Sequence, residues 1–244
     1  MTRIIHVLAV LGLGSAWAIG DSLEARIKGA VSRNIDGDTV WVCPEGRGDC
    51  DGILQMPVKI RMVGMDAPEY HYPTSLGYVG QGKWGKLAHE RFREMAPVGQ
   101  KVEVEEVGRD SYGRMLARVY VGEFNTNLEM IRLGWAVPYF ICEGPCNQDY
   151  FMREKVKAYV DACNGAKKEG LGIFDPSEPL SEMPFEFRLR MQNRILEKPV
   201  GDFGTKLLYE AAAYKKVDPC YRVFFRSVKD ALDVGYRIAS QGAG

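Results

Sequence analysis

Val58-Lys59-Ile60-Arg61-Met62-Val63-Gly64-Met65-Asp66-Ala67-Pro68-Glu69 is the stretch on which the reading of this chain turns. Apolar and basic residues alternate from Val58 to Val63, the pattern of a half-buried strand, and Pro68 forbids its continuation. Upstream, Ile27 to Ile35 forms one β-like run. A turn at Asp36-Gly37 reverses it into Thr39-Val40-Trp41-Val42, so that three strands are expected in succession. Downstream comes a polar, aromatic and glycine-rich loop from Tyr70 to about Gly82. Helical spacing then places Trp84, Leu87, Ala88, Phe92 and Met95 near one face, ended by Pro97-Val98-Gly99.

Val102, Val104 and Val107 mark a fourth strand and Arg114 to Val121 a fifth, divided by the turn Asp110-Ser111-Tyr112-Gly113. Asn125 to Leu133 reads as a capped helix closed by Gly134, and Asp149 to Glu169 as a longer helix with a charged outer face. This order predicts a mainly β (α+β) fold, a five-stranded OB-type barrel with about three helices, over residues 25–175. Pro176, Pro179 and Pro184 then suggest a linker, and Pro199 closes a basic helical stretch. Residues 176–199 are therefore read as linker and helix, and 200–244 as a small α/β module.

The first residues read as an export signal. Met1-Thr2-Arg3 is positive, Ile4 to Leu13 is apolar, and Ala16-Trp17-Ala18 fits a cleavage site before Ile19. The apolar run is shorter than the ~20 residues that span a bilayer. The expectation is a secreted or periplasmic, monomeric protein with no membrane contact after cleavage. Export lets the six cysteines form disulfides. Cys43 and Cys50 bracket a turn, either Cys142 or Cys146 is placed to pair with Cys163, and Cys220 is left over. No histidine sits at zinc-ligand spacing among them.

The hairpin reading brings Asp38, at the start of the second strand, beside Asp66 and Glu69, at the end of the third. Such carboxylates repel unless they surround a cation, and hard oxygen ligands favour Ca²⁺ or Mg²⁺. Spacing alone favours the plainer reading over the metal site, with Asp36 and Asp38 as turn residues and Glu69 as the cap of a bend. Arg61, and Arg114 at the start of another strand, add the guanidinium groups that a phosphodiester needs as charge builds on its oxygens. Composition gives no such hint. Lys+Arg and Asp+Glu number 32 each, so basic groups for counterion release would have to be concentrated locally.

In Ile35-Asp36-Gly37-Asp38-Thr39-Val40, Lys59 to Glu69, and Asp110-Ser111-Tyr112-Gly113-Arg114, the chain resembles the staphylococcal nuclease-like (thermonuclease) family, with the three blocks in order between about Ala25 and Phe174. The resemblance implies an OB-fold endonuclease that cleaves DNA and RNA with Ca²⁺ and leaves 3′-phosphate ends. It implies Asp38, Asp66 and the Ala67 carbonyl as metal ligands, and Glu69 as the group that orients or deprotonates water. Arg61 and Arg114 would grip the phosphate, and Tyr112 would contact substrate. Ser111 stands where the family often has lysine. Tyr139 and Phe140 compete for the role of a second active-site aromatic. Residues Arg222 to Tyr236 resemble a small cysteine-rich tail of some bacterial nuclease-like proteins, without the histidines that would hold a metal there. The alternative is a catalytically weak or inactive OB module that binds nucleic acid or protein.

Overall fold

A computed structural model describes residues 26–46, 56–142 and 153–240. β1 (Ile27–Asn34), β2 (Thr39–Pro44) and β3 (Val58–Met62) form an antiparallel meander. After a bend at Val63 comes β4 (Gly64–Asp66), then a small hairpin of β5 (Tyr72–Thr74) and β6 (Gly77–Val79). The hairpin lies in the stretch expected to be loop. Its strands are three residues each and carry no alternating pattern to betray them. α1 (Gly82–Met95) leads to β7 (Lys101–Arg109) and β8 (Met115–Val121), which run antiparallel, with β7 also paired to β1. β8 lies parallel to β3, Ile60 opposite Met115 and Met62 opposite Ala117, and this contact closes a five-stranded OB-type barrel.

The inward-facing half of the alternating pattern fills the barrel: Ile60, Met62, Val40, Val42, Val104, Ala117 and Val119 are all buried, with Phe92 of α1 packed among them. Each such large side chain contributes roughly 1.5–3 kcal/mol by leaving water. β9 (Phe124–Asn125) is a short continuation, and α2 (Thr126–Arg132) begins where the Asn125 side chain caps the Leu128 N–H. Buried Asn127 binds the chain at the barrel's bend. Its amide nitrogen donates to the carbonyls of Val63 (2.9 Å) and Ala117 (3.1 Å), and its oxygen accepts from the Val119 N–H.

The segment after the barrel is joined to it more closely than its proline content suggests. β10 (Val137–Cys142) pairs antiparallel with β4 on one edge, α3 (Arg153–Glu169) packs on α2, and α4 (Pro184–Met191) follows. Pro184 occupies the first turn of α4, where a missing N–H costs nothing. β11 (Val200–Asp202), β12 (Leu207–Tyr209), β13 (Arg222–Phe225), α5 (Val228–Asp233) and β14 (Arg237–Ile238) complete the chain. The second sheet has the order β14-β12-β11-β13-β10-β4, so the C-terminal strands continue through β10 to the strand that ends in Asp66. Val223, Phe225 and Tyr236 belong to the same buried cluster as the barrel interior.

The cysteine expectation needs one correction. Cys163 of α3 is bonded to Cys220, with 5.5 Å between Cα atoms, and not to Cys142 or Cys146. Proximity in sequence favoured the shorter loop, but α3 also packs against the turn that carries Cys220. Cys43 and Cys142 each take part in a disulfide of their own. The pairing expected for Cys43 with Cys50, the signal segment 1–18 and the start of the long helix at Asp149 lie outside the described residues. No helix among the described residues is long and apolar enough to cross a membrane.

Candidate active site

The ladder between β2 and β3 places Thr39 opposite Arg61, and Asp38 therefore lies at the mouth of that pair. Its carbonyl accepts from the Met62 N–H at 2.8 Å, and its Oδ2 accepts from the Ala67 N–H at 2.9 Å. Gly37 is required in this turn, since a Cβ there would stand 2.7 Å from Cβ of Ala67. Gly85 of α1 has the same function on the other side, because a Cβ would meet the Glu69 carbonyl oxygen at 2.1 Å. Gln81 clasps the Glu69 peptide from both directions, accepting from its N–H at 3.0 Å and donating its own N–H to its carbonyl at 2.8 Å. Two small residues and one amide thus bring three separate segments into one cluster.

In that cluster Arg61 pairs through Nη1 with Asp38 Oδ1, and through Nη2 with Asp66 Oδ1 at 2.6 Å. Asp38 and Asp66 are 2% and 0% exposed and Glu69 8%, so the charges are deep enough for their partners to decide their state. Burial works against ionising Asp38, but Arg61, the Ala67 N–H and Arg188 outweigh it and hold its pKa below the usual range. Glu69 goes the other way: burial, only partly offset by Arg188, raises it. Half-buried Asp36 is pushed well up, by burial and then by Asp38 and Glu69. The Arg61 guanidinium is held charged, its own burial outweighed by Asp38 and Asp66.

Arg188 of α4 is the member that sequence reasoning missed. Its Nη1 donates to Asp66 Oδ1 and to Glu69 Oε1, both at 2.7 Å, and its Nη2 donates to Asp66 Oδ2 at 2.9 Å. Nothing in the spacing around Phe187-Arg188-Leu189 points 122 residues back to Asp66. Asp36, read above as a turn residue, is the second omission, and its place in an Asp-Gly-Asp turn was the available signal.

The staphylococcal nuclease homologue family matches residues 59–175. The chain carries a staphylococcal nuclease-like domain. It is 37% identical to "Endonuclease YhcR" of Bacillus subtilis (strain 168) over 224 residues, which are 88% of this chain and 17% of that protein. It is 33% identical to an "Uncharacterized endonuclease" of Escherichia coli O157:H7 over 118 residues, 48% of this chain and 64% of that one. "Thermonuclease" of Staphylococcus intermedius is 30% identical over 122 residues, 49% of this chain and 62% of that protein. The chain therefore spans under two thirds of each of these relatives. The likeness to the Bacillus protein leaves out only about an eighth of the chain, so it runs past residue 175 and through α4.

The fold holds Asp38, Arg61, Asp66, Ala67 and Glu69 together, but it leaves Arg114 and Tyr112 outside their hydrogen bonds. Arg114 precedes β8 by one residue, on the strand adjacent to β3. Its Nε donates to Asp110 Oδ2 at 2.7 Å, and the N–H groups of Tyr112 and Arg114 both donate to Asp110 Oδ1 at 2.9 Å. Burial is outweighed by these bonds, which hold the Asp110 carboxyl below its ordinary range. Tyr112 is 78% exposed, with the Arg114 guanidinium 5.6 Å from its ring. Of the two competing aromatics, Tyr139 lies at the cluster, its ring 5.6 Å from the Arg188 guanidinium. Phe140 is in the core against Tyr159, and neighbours on a strand face opposite ways.

Among the described residues no three carboxylate, imidazole or thiolate side chains are arranged to hold a metal ion as they stand. The chemistry of the donors nevertheless fits a hard divalent cation. Among the described residues, Asp36, Asp38, Asp66 and Glu69 set four carboxylates against the two guanidinium groups of Arg61 and Arg188.

Proposed function

We propose that the chain is an exported, calcium-dependent endonuclease that hydrolyses phosphodiester bonds of DNA, RNA or both and leaves 3′-phosphate ends. One observation carries this reading: a buried group of carboxylates in which Arg61 spans Asp38 and Asp66, with Glu69 drawn to Asp66 by a shared guanidinium. The names of the relatives agree with it. A hard cation, when bound, neutralises charge developing on the phosphate and favours ionisation of a nearby water. Asp38, Asp66 and the Ala67 carbonyl would hold it.

The remaining work falls to this chain's own groups. Glu69 takes the proton of the attacking water, and its raised pKa moves it toward the range in which a base both takes and releases a proton. Arg61 binds the phosphate with two donors where lysine would offer a point charge. Arg114 exchanges its bond to Asp110 for a phosphate oxygen, and exposed Tyr112 offers a ring for stacking. Export is supported by the signal-like first 18 residues and by oxidised cysteines.

The test is to incubate the protein lacking residues 1–18 with single-stranded DNA, duplex DNA and RNA, in calcium and in excess chelator. Cleavage in calcium alone, with ends that a polymerase extends only after phosphatase treatment, supports the proposal. Binding without cleavage identifies the inactive OB module instead. Cleavage indifferent to chelator overturns the metal requirement.

A further inference from the structure

We infer that Arg188 is a built-in counter-cation of the active site, which holds Asp66 and Glu69 together when no metal is bound and competes with the divalent cation for them. The inference rests on the metal reading above and adds to it a residue outside the nuclease-like domain.

A carboxylate oxygen offers two lone pairs. Asp66 Oδ1 accepts from both Arg61 (2.6 Å) and Arg188 (2.7 Å), and Oδ2 accepts from Arg188 (2.9 Å). One acceptor position of the four is left on a side chain that is 0% exposed. A second donor from the same Arg188 nitrogen holds Glu69 Oε1. A metal that takes an oxygen of Asp66 must therefore either share it with a guanidinium or displace one. Arg61 lies within the barrel and is fixed by Asp38, just before β2, and by Asp66 at the end of β4, whereas Arg188 reaches in from α4, so Arg188 is the one that yields.

α4 is built to deliver this group. Phe185 and Phe187, three residues and one residue before Arg188, are buried, Phe185 with Val200, Val217 and Phe224. Phe187 meets Tyr72 of the β5–β6 hairpin edge-on at 5.8 Å, and Gln192 donates to the Tyr72 hydroxyl at 2.9 Å. Gln81, which clasps Glu69, also donates to the Glu182 carbonyl just ahead of the helix at 2.7 Å. The helix is thus moored to the segments that carry Glu69, and among the described residues half-buried Arg188 forms its ion pairs with Asp66 and Glu69.

Calorimetric titration of calcium chloride into the chelator-stripped full chain tests this, comparing wild type with Arg188→Gln and Arg188→Lys. Removing a positive charge this close to the site is expected to tighten calcium binding by about tenfold or more. Arg188→Lys keeps the charge but gives up the two-point hold, and it is expected to fall between the two. Calcium binding to Arg188→Gln that is equal to or weaker than wild type overturns the inference while leaving the metal reading intact. If the glutamine variant does not fold, the same comparison on Arg188→Lys decides it. Calcium binding by none of the three proteins overturns the metal reading and the inference with it.

Discussion

The barrel and the segment after residue 175 each place a guanidinium on Asp66, but they do so by different means. Arg61 arrives by strand register. It is five residues from Asp66 and faces Thr39 across the β2–β3 ladder, so a pairing within the barrel also forms the Asp38–Arg61–Asp66 group. Arg188 arrives by docking. Its place depends on α4 settling against the hairpin and on β13 pairing with β10, neither of which is local. The first half of the site is a consequence of the fold; the second is a consequence of how an appended segment packs on it.

The largest effect that would break this comparison belongs to the barrel half. Glu69→Gln preserves size and hydrogen bonding but removes the proposed base. It is expected to lower the rate of calcium-dependent cleavage by up to about 10⁴-fold, the upper end for a general base, with unchanged binding of substrate. A loss below about tenfold would move the base elsewhere. Next comes the tether of the appended half. Replacing Cys163 and Cys220 by alanine opens a loop whose ends are 57 residues apart in sequence, and the chain-entropy argument gives a loss of about 4 kcal/mol. Denaturant unfolding should show it. An unchanged midpoint would mean that β13 and its core contacts hold the segment without help.

Arg61→Ala should cost somewhat less in chelator, about 3 kcal/mol. It leaves two buried carboxylates without their shared partner, but Arg188 still covers Asp66. Adding Arg188→Gln to Arg61→Ala should then cost more than the sum of the separate changes, because the two arginines substitute for each other at one carboxylate. Additivity would contradict the shared site.

The same contrast sets what was legible in the sequence. Alternation in Val58 to Val63, the Asp36-Gly37 reversal and Pro68 specify strands and their ends. Once those strands pair in register, Asp38, Arg61, Asp66 and Glu69 have little freedom to be elsewhere. The hairpin at Tyr72–Val79 was missed because three-residue strands leave no period to detect. Cys163–Cys220 was missed because the direction of α3 is set by packing, not by spacing. Arg188 could not be read at all. An arginine in a basic helix is usually solvated, and only the burial of Phe185 and Phe187 on that helix turns it inward.

Asp36 gives the smallest effect and the most direct test of the charge excess that both halves of the site leave behind. Its folded-state pKa lies above the ordinary 3.8, through burial and the neighbouring Asp38 and Glu69. Below 3.8 the carboxyl is protonated whether the chain is folded or not, and it costs nothing. As pH rises from there through the raised folded value, the unfolded chain ionises first, and the native state loses stability relative to it. Asp36→Asn in chelator should therefore leave stability unchanged in acid and raise it by about 1 kcal/mol or less near neutrality, the scale of an interaction between partly exposed charges. With calcium added the sign should reverse, since the lost negative charge then weakens the hold on the cation. A variant that gains stability equally with and without calcium would show that Asp36 does not face the metal site, and that Arg61 and Arg188 already balance the carboxylates.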